Sequence, residues 1–442
     1  MVCPMEFESQ HPKDLMKNLE SDSEIRGLAH CPGRIGIGRK GLFVIAAATV
    51  MMACLGGIYA WSLLVARLQA EGGFSALETQ LVFGTVVLVL CASTLVAGPL
   101  QQKAGPRIVS VLGGLLYGGG YLLAANAGSS FLCLWLGAGL LVGLGTGAGY
   151  ISAIATAIRW LPGRKGLATG IVVGGYGSGA IFSKMLFQSL IGQGWQVESI
   201  FLTLALGYGG AIILTALCLR LPAHTAFADP VPGGGDGSAA VVRGSDLLRD
   251  RRCWRMFFAL LFGNIPGLMI IGSFAPIAGE LGHSSSLAGI GISALAIGNC
   301  AGRVGWGALF DRIGGGKSVG LSLITIVVSV LLVFSARAAV PVGGLLLLLA
   351  ALTVGLGFAS CLVLHAAESA KLFGPAGMSA AYPLIFQAHG LGALIGSALG
   401  GYACDATGSY QLALWLALAS GIVALALYLG LGSWPRNGRL DG

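Results

Sequence analysis

The chain has 442 residues, 55% apolar and 10% charged, with a formal net charge of +8, whereas roughly a quarter of the residues in an ordinary soluble domain are charged. At about 20 residues per crossing the apolar content suffices for on the order of a dozen spans, which excludes soluble enzymes, secreted disulfide scaffolds and disordered tails. An outer-membrane barrel is excluded too, because its strands alternate polar and apolar residues and these runs are apolar all round.

Residues 1–40 are hydrophilic and hold no short apolar core, so they predict a cytoplasmic tail without a cleavable signal peptide. Windows free of Asp, Glu, Lys and Arg follow at 41–66, 79–102, 108–130, 131–158, 199–219, 256–279, 281–302, 318–336, 338–367, 372–404 and 406–435. One further window, 166–197, is interrupted once by Lys184, and with it the pattern predicts twelve transmembrane helices. Pro266, Pro276 and Pro383 fall inside these windows, where neighbouring membrane helices satisfy the freed backbone groups. The Pro/Gly-rich and then basic stretch 221–253 reads as a cytoplasmic linker between halves at 41–220 and 254–433, with 434–442 as a tail. Its end, from Ser245 to Arg255, reads as a capped interfacial helix.

Gly139, Gly143 and Gly147 are four apart and predict close helix packing. The run 143–149 suggests a nucleotide loop to the eye, but it follows no strand and carries no Lys-Ser/Thr. The ten cysteines show neither C-x-x-C nor metal spacing, so no disulfide framework, metal site or cofactor is expected.

Charge placement sets the orientation. With both termini cytoplasmic, 22 of the 26 Lys and Arg fall inside, two (Arg67, Arg337) fall outside, and Lys184 and Arg303 lie within spans. The positive-inside rule gives that orientation, and the expected location is the plasma membrane, or the inner membrane if bacterial. The net charge follows from topology and from attraction to anionic lipid, and no nucleic-acid partner is needed. Lys184, about 27 Å along its helix, is expected to snorkel to the outer headgroups.

Arg303 is the leading candidate for function. It lies eight residues before Asp311, about 12 Å inside the cytoplasmic end of a roughly 30 Å core. A guanidinium there costs about 2.5–3.5 kcal/mol and usually lines a bundle interior or a wet cavity. No Asp or Glu occurs inside any predicted span, so a bidentate site for an anionic carboxylate is favoured over a structural ion pair. His389, central in the eleventh window, is a candidate because imidazole changes charge near physiological pH; a hydrogen-bonded core histidine is the plain alternative. Tyr59, Tyr150 and Tyr176 offer hydroxyl donors and water-excluding rings. His365 and Glu368 form a further pair near the inner end of the tenth helix, without the second His of H-E-x-x-H.

The halves echo each other. Gly98-Pro-Leu-Gln-Gln-Lys103-Ala-Gly105 returns 209 residues later as Gly307-Ala-Leu-Phe-Asp311-Arg312-Ile-Gly314, and Tyr176-Gly-Ser-Gly-Ala-Ile returns 213 later as His389-Gly-Leu-Gly-Ala-Leu. Such duplication is the plan of secondary transporters whose halves rock about a midplane site. The basic loops resemble the loop motif of the major facilitator superfamily, with Gln102 in place of the acid in the first. The run 159–170 (RWLPGRKGLATG), followed by Gly175-Tyr-Gly-Ser-Gly179, resembles the oxalate/formate antiporter and monocarboxylate porter branch.

This resemblance implies an all-α membrane protein of twelve transmembrane helices in two pseudo-symmetric six-helix bundles, covering about residues 40 to 432. It implies that Arg303 binds substrate carboxylate, and that Lys103, Arg107, Asp311, Arg312 and Lys317 hold inner-gate contacts. Asn299 stands where animal monocarboxylate porters carry the Asp of a proton relay, and His389 where oxalate porters carry a second cation. Tyr59 and Tyr150 match tyrosines of the oxalate cage, while Phe358 and Leu362 occupy its helix-10 positions. One permanent cation suggests a monoanion.

The expected function is secondary transport, without enzymatic chemistry, of a small organic carboxylate such as lactate, pyruvate or formate. It would be proton-coupled, with His389 as the coupling candidate, or driven by exchange with a counter-anion, in a lipid-embedded monomer. An oxalate/formate-type dicarboxylate antiporter, a transporter of a non-carboxylate solute in which Arg303 is structural, and a non-transporting sensor are the alternatives.

Overall fold

The computed structural model describes residues 39–161, 165–222, 249–339 and 341–429, with side chains at all of these except 165, 166, 370 and 374–380. The N-terminal tail, most of the linker predicted at 221–253 and the tail after 433 lie outside the described residues. From Gly41 onward the chain forms one compact unit.

Among the described residues twelve helices are long and apolar enough to cross a membrane. They are α1 (Arg39–Ala60, continued by Ser62–Gly72), α2 (Ala76–Ala104), α3 (Pro106–Ala125), α4 (Phe131–Trp160), α5 (Lys165–Gly192), α6 (Val197–Cys218), α7 (Arg251–Glu280), α8 (Ser285–Ile313), α9 (Gly315–Ser335), α10 (Gly343–Phe373), α11 (Ala381–Thr407) and α12 (Gln411–Leu429). No strand occurs among the described residues. An even number of crossings returns both chain ends to one face, here termed terminal; the other face is distal.

Two boundaries differ from the sequence reading. Asp250, whose carboxylate accepts from the Arg252 amide at 2.7 Å, caps α7 at its start, and the cap expected at Ser245 lies outside the described residues. The tenth helix extends to Phe373 and takes Glu368 into its span, which corrects the expectation that no carboxylate lies in one. Helical backbone runs unbroken from Gly343 to Thr407. Even so, the His389 ring lies 5.6 Å from Phe358, and 31 residues of straight helix would separate the two by about 46 Å. The chain therefore turns between α10 and α11, and the two spans are antiparallel.

The repeat is structural as well as sequential. Ser75 caps α2 and Ser284 caps α8, each through its side-chain oxygen, and the two helices are 29 residues each. They end at Gly105 (φ +84°) and Gly314 (φ +82°), a left-handed turn that glycine enters without strain. Every one of these pairs is 209 apart, as are Glu71 and Glu280. Glu71 accepts from the Val197 amide at 2.8 Å and so satisfies the start of α6; Glu280 accepts from the Tyr410 amide at 2.6 Å and does the same for α12.

Across the halves α2 packs on α11, α5 on α8, and α7 on α1 and α2. The close approaches use glycine. A Cβ on Gly401 would lie 2.5 Å from the Leu77 backbone, and one on Gly84 2.7 Å from that of Leu394. At the distal end of this seam Asp405 accepts from the first two amides of α2, Ala76 at 2.8 Å and Leu77 at 2.7 Å. Gln80 donates to the Gly272 carbonyl of α7 at 2.9 Å. Toward the terminal face a Cβ added to Gly98, Gly170 or Gly305 would meet nothing within 4 Å beyond its own helix.

Within the first half, Gly143 and Gly147 lie against backbone of α2 and Gly139 against Thr85, so the glycine stripe sets the α2–α4 distance. Helix α1 is interrupted by a tighter turn, Gly56–Ala60, that carries Tyr59. There Gly56 abuts the Tyr176 carbonyl and Gly179 abuts Gly56, which brings α1 and α5 close enough for their tyrosines to meet.

Candidate functional site

The tight turn in α1 and the glycine contacts behind it place Tyr59 at the centre of a chain of rings. Tyr59 meets Tyr176 of α5 edge-on at 5.4 Å and Phe358 of α10 at 5.9 Å. Tyr176 meets Tyr150 of α4 at 5.4 Å. On the other side Phe358 meets His389 of α11 at 5.6 Å, His389 stacks on Phe386 at 5.6 Å, and Phe386 meets Tyr382 at 5.8 Å. Seven rings from five helices and both halves thus form one continuous wall.

Arg303 of α8 faces this wall. It stands within electrostatic reach of Tyr59, Tyr150, Tyr176, Tyr382 and His389. Its Nε donates to the Asn299 side-chain oxygen at 3.3 Å, an i, i+4 contact that fixes the plane of the guanidinium. Among the described residues the ion pairs are Arg67–Glu71 and Arg252–Asp250, and none involves Arg303. Asn299 is therefore a neutral acceptor where the sequence left Arg303 unpartnered, and the Tyr150 hydroxyl is a second neutral group within hydrogen-bond reach of the guanidinium. Neither carries charge, so the fork can still turn its donors to a carboxylate.

His389 is 3% exposed, and its Nδ1 has no hydrogen-bond partner among the described residues. A buried ring nitrogen without a partner, beside a half-buried guanidinium that no carboxylate neutralises among the described residues, is a costly arrangement to hold empty. Donors converging on a concave, mostly apolar wall make a site for a small anion with an apolar body.

All six sequence candidates, Arg303, His389, Tyr59, Tyr150, Tyr176 and Asn299, come together here. The loop charges do not. Lys103, Arg107, Asp311, Arg312 and Lys317 are exposed, and none makes an ion pair or side-chain hydrogen bond among the described residues. Lys184 is half-buried with its stem beside Gly289 of α8, in the α5–α8 seam.

Tyr382 and Phe386 were missed as wall residues. Their spacing of 382, 386 and 389 puts them on the face of His389, a signal the sequence carried. Asp405 and the pair Glu71/Glu280 were missed because they sit beside charge-free windows and read as loop residues. The 209-residue offset could have found the latter pair.

Residues 42–382 match the family model described as Major Facilitator Superfamily. The oxalate:formate antiporter of Oxalobacter formigenes is 28% identical over 293 residues, 64% of this chain and 66% of its own length. Monocarboxylate transporter 13 of Bos taurus is 30% identical over 331 residues, 71% of each chain. Among solved structures, a point mutant of the nucleoside transporter NupG superimposes with a TM-score of 0.70 at 14% identity, over 89% of this chain and 99% of that one. The twelve-helix fold, its internal repeat and these matches agree: the chain belongs to the Major Facilitator Superfamily.

Proposed function

We propose that the chain is a secondary transporter of a small organic monocarboxylate, of the size of formate, lactate or pyruvate, working by alternating access. The observation that carries the reading is Arg303, a half-buried guanidinium within a transmembrane span whose partners, Asn299 and Tyr150, are both neutral. The carboxylate takes two parallel hydrogen bonds from the Arg303 fork. Tyr59 and Tyr150 donate from the first half and His389 from the second, and Phe358 and Phe386 cover the apolar body. Because donors come from both halves, binding draws the halves together around the anion.

The contacts between halves suggest the state of the cycle. Backbone-to-backbone packing and the Asp405 clasp close the seam at the distal face, while the basic loops of the terminal face make no ion pair among the described residues. With the terminal face cytoplasmic, as the Lys and Arg distribution favours, this asymmetry supports an inward-facing state. Reaching the outward-open state then requires breaking the clasp and bringing the basic loops toward new partners.

Uptake of labelled formate, lactate, pyruvate and oxalate into proteoliposomes tests this. The reading expects saturable monocarboxylate uptake that Arg303→Ala abolishes, a loss of about 100-fold if two charge-assisted hydrogen bonds go. Absence of carboxylate uptake or competition would discard the substrate class.

A further inference from the structure

The aromatic pocket leaves one set of buried polar groups unused. On α10, His365 is 1% exposed, Glu368 8% and Ser369 0%. Oε2 of Glu368 and Oγ of Ser369 lack a hydrogen-bond partner among the described residues, and the His365 ring has only the Cys361 backbone, one turn back, within reach. Each orphaned polar atom costs about 1–3 kcal/mol in such an interior, and a carboxylate and a hydroxyl orphaned beside an under-satisfied imidazole call for an explanation. Spacings of three and four residues make the three side chains neighbours on the helix surface.

The surroundings restrict what fits. Phe257, Trp306, Leu364 and Ile385 belong to the apolar cluster that also takes in Phe310, and apolar side chains offer an organic solute no polar partners there. One His and one carboxylate fall short of the three or four protein ligands of a typical zinc site, and no larger metal-ligating group occurs among the described residues. A proton is small enough and chemically suited to an imidazole beside a carboxylate.

Charges facing the pair are few. Lys371, exposed on the same helix, and Tyr428 of α12 interact electrostatically with Glu368. The Glu368 carboxylate also lies against Gly315 at the N-terminus of α9, whose dipole favours the anion. Phe310 of α8 covers the same spot without charge. Cys361 lies one turn back from His365 on α10. Arg252 of α7 stands over Phe373, 5.7 Å from the ring centroid at the end of the span. Burial therefore opposes the negative charge, while the α9 terminus and Lys371 support it, a balance that can change sign with conformation.

We propose that His365 and Glu368 bind a single proton, as a site separate from Arg303, and that its occupancy is coupled to closure of the terminal side. Without the proton the pair carries one buried negative charge; with it the pair is neutral. Closing that side removes the remaining water from α10 and penalises uncompensated charge, so the protonated form closes more readily, and by linkage the closed form holds the proton more tightly. The proton comes from water on one face and returns to water on the other, with no further reactant. Tyr382, within reach of Arg303, donates to the Leu362 carbonyl at 3.5 Å, and His365 lies about 10 Å along α10 from Phe358. The coupling rests on the transport reading; the proton site does not.

Two measurements separate these claims. On the purified, substrate-free chain, infrared difference spectra between about pH 5 and about pH 8 should show a protonated-carboxyl band that Glu368→Gln removes and His365→Gln shifts. Spectra unchanged by both substitutions overturn the site, whatever the chain transports. In proteoliposomes, both variants should retain anion exchange at zero pH gradient within about twofold and lose gradient-driven accumulation by about tenfold, a coupling of about 1.4 kcal/mol. Loss of both modes to the same extent, or of neither, overturns the coupling.

Discussion

The two ends of the seam between the halves are built from different materials. At the distal face backbones touch: Gly401 on Leu77, Gly84 on Leu394, and Asp405 on two free amides of α2. At the terminal face the equivalent stretches carry cationic loops with no partner among the described residues. The distal contacts are short and satisfied, so they favour one state; the terminal charges are held in reserve for the other. A transporter needs the two states to differ by little, and splitting packing from charge between the two faces achieves that.

The largest effect is expected from Gly401→Val. Its Cβ would lie 2.5 Å from the Leu77 backbone and 2.7 Å from the Ala76 carbonyl, and backbone cannot yield as a side chain can. The seam should open at the distal face in most molecules, read as a longer distance between spin labels on the distal ends of α1 and α7. An unchanged distance would show that the seam has slack. Asp405→Ala comes next. It removes two charge-assisted hydrogen bonds from an exposed carboxylate, about 1 kcal/mol after allowing for solvent, and should shift the same distance distribution about fivefold toward the open form.

Glu280→Gln and Glu71→Gln sharpen the contrast by leaving the seam alone. Each cap lies within one half, so each should lower thermal stability by about 0.5–2 kcal/mol without moving the labels. Comparable losses would show that the two caps contribute alike. The smallest effect belongs to Lys103→Gln and Arg107→Gln. With no partner among the described residues they should leave the stability of the detergent-solubilised chain, read by thermal melting, within about 0.5 kcal/mol of the parent, while slowing transport if the loops pair in the opposite state.

Much of this architecture was legible in residues. Charge-free windows marked the spans, and the 209-residue echo marked the repeat, because both follow from the exclusion of charge from hydrocarbon and from duplicated turns. Arg303 stood out for the same reason. Glu368 was legible only as half of a pair with His365 at the inner end of the tenth helix, and Asp405 not at all, because ending a window at the first carboxylate assigns it to a loop by construction, although a helix continues through it when its carboxylate has somewhere to go. The tight turn at Gly56–Ala60 was also hidden. Its cause is the close approach of Gly56 to the Tyr176 backbone, a tertiary contact without a local signature. The ring wall could be listed from sequence only as separate tyrosines, since pairing them needs the distance between α1, α4 and α5.

The central claim is that Arg303 carries the anion. Calorimetric titration of the purified chain with lactate, pyruvate and formate, alongside Arg303→Lys and Arg303→Ala, tests it most directly. The account predicts saturable binding of at least one of these acids, weakened about tenfold by Lys, which keeps the charge but loses the planar fork, and abolished by Ala. Equal affinity in all three proteins, or no binding of any carboxylate by the parent chain, would contradict it.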